Sequence, residues 1–309
     1  MIQTTKIQNS ARPAEGLCEG SELSKKFKAE PSQLIPEIFA VGLAGLLTYG
    51  LQSSNAPIVP ITVFPETTSG VTLNAGIFVL LMAVTGTVMY LFIKFGLKRL
   101  VRYLISLALI ALVFFLFTWY GSLYEAYLPA FLTSTSWGWL ILSVAGSVVL
   151  GLLIFKAKGG LHLLGIVLIG GLTGTFLGVS IPTLTAVVLL LALAAYDLFA
   201  VYKGPIGKMA QSTDLEDFTG AVFTYGDLTV GMGDMVFYSM LASNAMMNFG
   251  PVPFFSAAFG LILGAYLGFK MLEGRDMFPG LPFAVVLGLV FMYVASQALM
   301  LLKLPGVNS

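Results

Sequence analysis

Two aspartates, Asp197 and Asp234, lie inside separate apolar stretches, in the strings Tyr196-Asp197 and Gly231-Met232-Gly233-Asp234. A carboxylate at membrane depth is expensive enough that its default reading is functional, and two on neighbouring segments invite a shared role. Two carboxylates a few ångströms apart cannot both ionise, so they share a proton, one poised as base and the other as acid. That is peptide-hydrolysis chemistry. The ionised member deprotonates a water that attacks a peptide carbonyl, and the protonated member donates to the carbonyl oxygen. Because such a pair titrates as a unit, neither aspartate is tied to one role. Gly231 and Gly233, without side chains, let another backbone approach the acid closely.

The elements that must position these acids are membrane-spanning helices. Over 309 residues, 57% are hydrophobic and only 10% charged, with a mean hydropathy of +0.92, which excludes an ordinary soluble fold. A net charge of +1 gives no reason to expect nucleic acid as a partner, and Cys18 is the sole cysteine, so no intramolecular disulfide forms. Residues 1–33 read as a polar, solvated N-terminal tail without a signal-peptide pattern. Apolar runs long enough to span a bilayer are expected at 34–52, 71–93, 103–121, 137–155, 161–179, 182–202, 221–243, 253–271 and 280–302. The expectation is an all-α polytopic membrane protein of nine helices, six over about 34–202 and three over about 221–302, followed by a short tail at 303–309.

Basic residues fall in every other connection: Lys6, Arg12, Lys25, Lys26 and Lys28, then Lys94, Lys98, Arg99 and Arg102, then Lys156/Lys158, Lys203/Lys208 and Lys270/Arg275. The positive-inside rule then places the N-terminus in the cytoplasm and the C-terminus outside the cell membrane. Asp197 precedes Lys203 by six residues and Asp234 follows Asp227 by seven, so each is expected roughly 9–10 Å inside the cytoplasmic boundary. The connection 203–220, with Gly204-Pro205 and the acidic Asp214, Glu216 and Asp217, is long enough to move while holding helices six and seven as neighbours.

Tyr196-Asp197 on the sixth helix, Gly231-Met232-Gly233-Asp234 on the seventh and Pro279-Gly280-Leu281-Pro282 opening the ninth resemble the motif triplet of the presenilin and signal peptide peptidase family of GxGD intramembrane aspartyl proteases. The stretch from Tyr196 to Pro205 and the N-in orientation look closer to presenilin. The resemblance implies that Asp197 and Asp234 are the catalytic dyad and that residues 279–282 help position the scissile peptide. It implies cleavage of single-span membrane proteins within the lipid bilayer, and an unwound substrate pairing its backbone with a segment near the site. This sequence reads Pro279-Gly280-Leu281 where the family has proline-alanine-leucine, and its short connection between helices six and seven implies a compact, archaeal-type homologue active without accessory subunits.

Other residues have blander readings. Gly170, Gly174 and Gly178 on helix five, and Gly260, Gly264 and Gly268 on helix eight, are spaced for close helix packing. Glu37 reads as an interfacial residue and Asp227 as a helix cap. His162 is the only histidine, so no His-Glu-x-x-His zinc site exists, and neither a metal nor another cofactor is expected. The alternative from another class is an ion- or proton-coupled transporter in which Asp197 and Asp234 carry the ion; a helix-binding scaffold without activity is a third.

Overall fold

The computed structural model describes residues 2–4, 28–54, 57–123, 136–202, 222–225, 228–273 and 277–302. The connection 203–220, Asp227, Cys18, Arg275 and the tail 303–309 lie outside the described residues. Nine long helices are present among the described residues: α1 (Ile35–Ser53), α2 (Thr68–Lys94), α3 (Lys98–Leu123), α4 (Ser136–Phe155), α5 (Gly160–Ser180), α6 (Thr183–Tyr202), α7 (Met232–Phe249), α8 (Pro251–Leu272) and α9 (Leu281–Leu302). All but α7 are long and apolar enough to cross a membrane. The exception is explained by its place in the bundle. α7 carries Asp234, Ser239, Ser243 and Asn244, all buried, because α1, α5 and α8 surround it and shield those polar groups from lipid.

The main core joins α1, α2 and α5 through α9, and a smaller cluster of Leu109, Val113, Leu150, Ile154 and Ile169 joins α3, α4 and α5. Met232, the first residue of α7, packs against both. Glycines set the closest approaches. A Cβ at Gly170 would lie 3.1 Å from that of Met235, and one at Gly174 would lie 2.5 Å from the Val236 carbonyl oxygen, so the α5 glycine face is filled by α7. Gly260 and Gly264 meet the backbone of α9 in the same way. The four-residue spacing therefore serves packing, as its sequence suggests. Asn244 extends the α5–α7 contact: its Nδ2 donates to the carbonyls of Gly178 (2.9 Å) and Ile181 (3.0 Å), two acceptors at the end of α5 that the helix itself leaves open.

Three features differ from expectation. The seventh helix begins at Met232 and not near 221, because Val222–Tyr225 and Leu228–Gly231 form antiparallel strands β2 and β3. Two runs of aromatic and β-branched residues separated by Gly226-Asp227 are a hairpin signal, and that local preference prevails over the apolar count that suggests a longer helix. Second, part of the N-terminal tail is structured. Ile2–Thr4 is strand β1, Met277–Phe278 is β4, and the sheet order is β2-β3-β1-β4. Residues Pro31–Leu34 form a 3-10 turn with Leu34 buried, and the Ala29 amide donates to Glu273 Oε1 at 2.9 Å, tying this stretch to the end of α8.

The third concerns Glu37, which is only 1% exposed and so faces the interior of the bundle. On α1, Glu37, Val41, Ala44, Thr48 and Leu51 are buried, a stripe at alternating spacings of four and three that marks one helix face. Ile38, Phe39, Leu46 and Tyr49 are exposed on the other. The helix turns its bulkiest apolar side chains toward lipid and its small and polar ones inward, the arrangement that membrane packing favours.

Candidate active site

Three elements converge on Asp197 and Asp234. α6 presents Asp197 five residues before its C-terminal end, α7 presents Asp234 in its first turn, and the start of α9 supplies residues 279–282. The Leu281 amide donates to Asp197 Oδ2 at 3.3 Å. On the opposite side of the same short segment, the Tyr238 hydroxyl donates to the Gly280 carbonyl at 3.3 Å. The first-turn amides of a helix lack internal acceptors, so a carboxylate at the head of α9 satisfies one of them and benefits from the helix dipole. Pro279, Gly280, Leu281 and Pro282 are all buried, and the flanking Phe278 and Phe283 rings meet in a tilted pair with centroids 5.6 Å apart.

The two aspartates are close enough for their charges to act on each other. Asp234 is 6% exposed, whereas Asp197 is half-buried, so the pair has one enclosed and one more accessible member. Between Gly231 and Asp234 the chain is open: Gly231 is the extended residue preceding α7, and Gly233 is exposed, with a Cβ placed there meeting only Phe237 at 3.8 Å. Tyr196 takes a different direction. A Cβ at Gly86 would sit 3.5 Å from its hydroxyl, which places that group beside α2 and away from Gly280.

Glu37 belongs to this neighbourhood, though sequence reasoning assigned it elsewhere. Tyr238 lies within electrostatic reach of Asp234, Glu37 and Asp197, and Glu37 interacts with Asp234. Its Oε2 has no hydrogen-bond partner among the described residues. The signal that finds it is the small-residue stripe of α1, whose first member is the glutamate. Among the described residues no group of three or more His, Cys, Asp or Glu side chains is arranged to hold a metal ion.

Tyr238 gives a direct test of how residues 279–282 are held. Tyr238→Phe leaves the ring volume and removes the donor to a buried carbonyl, so a stability loss of about 1–3 kcal/mol is expected in thermal unfolding. A melting temperature equal to wild type would show that the Gly280 carbonyl does not depend on it.

Solved structures of a presenilin-family intramembrane aspartate protease, in C222 and P2 crystal forms, superpose on this chain with TM-scores of 0.61 and 0.60, covering 86% of it and 98% of the solved chain at 20% identity. The chain has the presenilin-family fold. Presenilin-B of Dictyostelium discoideum is 31% identical over 130 residues, which is 38% of this chain. The chain spans 27% of that relative's length in the match. No family model matches the chain. The presenilin-family fold and the eight apolar helices of spanning length among the described residues make this an integral multi-pass membrane protein.

Proposed function

We propose that the protein is an intramembrane aspartyl endopeptidase that cleaves transmembrane segments of single-span membrane proteins. The observation that carries this reading is the convergence of Asp197, Asp234 and the Leu281 amide at one point. With one proton between the two carboxylates, the ionised member takes a proton from water and the protonated member donates to the scissile carbonyl oxygen. As the tetrahedral intermediate collapses, one aspartate donates its proton to the leaving nitrogen, the other takes a proton back from a hydroxyl of the gem-diol as the carbonyl re-forms, and the C–N bond breaks. The pair returns to a singly protonated state, so no cofactor is consumed. Residues 279–282 act as positioning groups: the Leu281 amide holds the Asp197 carboxylate, and Tyr238 holds the carbonyl of the same Gly280–Leu281 peptide. Gly231 and Gly233 leave room for the substrate backbone beside Asp234.

The reading includes a cytoplasmic N-terminus and an active unit without accessory subunits. Purified protein in liposomes is expected to cut a single-span model substrate near its cytoplasmic end, with two peptide products resolved by mass spectrometry. Aspartate-dependent ion flux in the same liposomes, with no peptide products, would replace this reading by the transporter.

A further inference from the structure

β1 is the least expected part of the molecule. Its partners lie more than two hundred residues away, and it pairs antiparallel on both edges: Ile2, Gln3 and Thr4 with Val230, Thr229 and Leu228 of β3, and Ile2 and Gln3 with Phe278 and Met277 of β4. β3 and β4 do not pair with each other. With neighbouring strands about 4.7–4.9 Å apart, the gap between them is the width of one extended chain. Both walls of that gap run directly into the candidate active site. Three residues beyond β3 is Asp234, and three residues beyond β4 is Leu281, whose amide is bonded to Asp197.

Taking the extended substrate backbone that the family resemblance implies as the natural occupant of this gap, we propose that residues 2–4 of this chain are a resident, self-blocking strand that fills the gap between β3 and β4 until substrate displaces it. The proposal rests on the protease reading for what the displacing strand is. Main-chain pairing accepts any sequence that can extend, so the same slot takes a resident segment or an incoming one. An empty slot would leave two facing edges with unpaired amides and carbonyls, which a protein embedded in lipid must cover. The resident strand is also suited to leave. It is three residues long, each net hydrogen bond contributes roughly 0.5–1.5 kcal/mol, and its pairing closes a very long loop at an entropic cost. A longer extended segment unwound from a substrate helix competes with it on favourable terms.

The test uses the full chain with Cys18→Ser, Gln3→Cys and Met277→Cys, since residues 3 and 277 are directly opposed and facing pairs in antiparallel strands lie within disulfide range. Mild oxidation is expected to form an intramolecular disulfide, and the oxidised form is expected to bind a fluorescent single-span peptide at least tenfold more weakly than the reduced form. Binding is measured also with Asp234→Asn added, so that the readout does not depend on cutting. Deleting residues 2–4 is expected to tighten binding several-fold. Failure to form the disulfide, a disulfide only between two copies, or equal affinity in the oxidised and reduced forms would overturn the proposal. A redox-dependent affinity in a wild-type dyad that cuts nothing would support the resident strand while rejecting the protease.

Discussion

Asp197→Asn and Asp234→Asn are each expected to lower cleavage of a single-span substrate by roughly four orders of magnitude or more, the scale seen when one member of a concerted catalytic unit is removed. The double variant is expected to be no worse than either single one, because the two share one proton and neither works alone. The fold supplies a control that distinguishes chemistry from structure. Asp197 also accepts the Leu281 amide, and asparagine keeps an acceptor oxygen there whereas alanine does not. Asp197→Asn is therefore expected to melt close to wild type, and Asp197→Ala to lose a further 1–3 kcal/mol or so from an amide left without its partner. A peptide carrying a hydroxyl at the scissile position mimics the tetrahedral intermediate and is expected to bind wild type far more tightly than either variant. Measurable cleavage by Asp234→Asn at more than about a hundredth of the wild-type rate would remove the dyad from the mechanism.

The second large effect is expected far from any carboxylate. Gly174→Val puts a branched side chain where a Cβ alone would be 2.5 Å from the Val236 carbonyl and 2.9 Å from the Met240 amide. These are backbone atoms of α7 and cannot rotate aside. The expected cost is about 3 kcal/mol, at the upper end for overpacked interiors, because the two helices must separate to admit it. Gly178→Val is expected to behave alike, since its Cβ would be 2.7 Å from that of Ser243 and 3.1 Å from the Asn244 amide, and displacing Asn244 also breaks its bonds to the end of α5. Gly76→Val provides the contrast. Nothing lies within 4 Å of a Cβ there, and no change beyond about 0.5 kcal/mol is expected. Thermal unfolding in detergent measures all three. Because α7 carries Asp234, the first two variants are expected to lose activity in step with folding.

Most of the bundle was legible in the sequence for a simple reason: a span needs a long apolar run, and the clusters of charged residues that end such runs fall at or between the helix ends, whereas the glycines inside α5 and α8 pack without breaking them. The aspartates stood out on the same physics, since an acid in an apolar run has a cost that only a role repays. What was not legible lies where apolar content carries two meanings. Val222 to Val230 run on into the apolar start of α7 and add to its apolar count, and the Gly226-Asp227 break between two β-prone runs is what distinguishes the hairpin. Glu37 was obscured by its position near the start of α1, where an acidic residue is ordinary; its depth follows from which face of α1 turns inward, and that is decided by partners distant in sequence. The pairing of Ile2–Thr4 with β3 and β4 is wholly non-local, and three residues carry too little pattern to announce it.

The direct passage from β3 into α7 gives the small sheet an influence beyond its hydrogen bonds. A strand has a period of two residues and a helix turns roughly 100° per residue. If β3 slipped by a single residue against β1, each side chain of the strand would change face and the phase at which α7 begins would rotate with it. The carboxylate of Asp234 would then point away from α6, even though every helix remained in place. The sheet register is thus an angular setting for the site, held by a few backbone pairs.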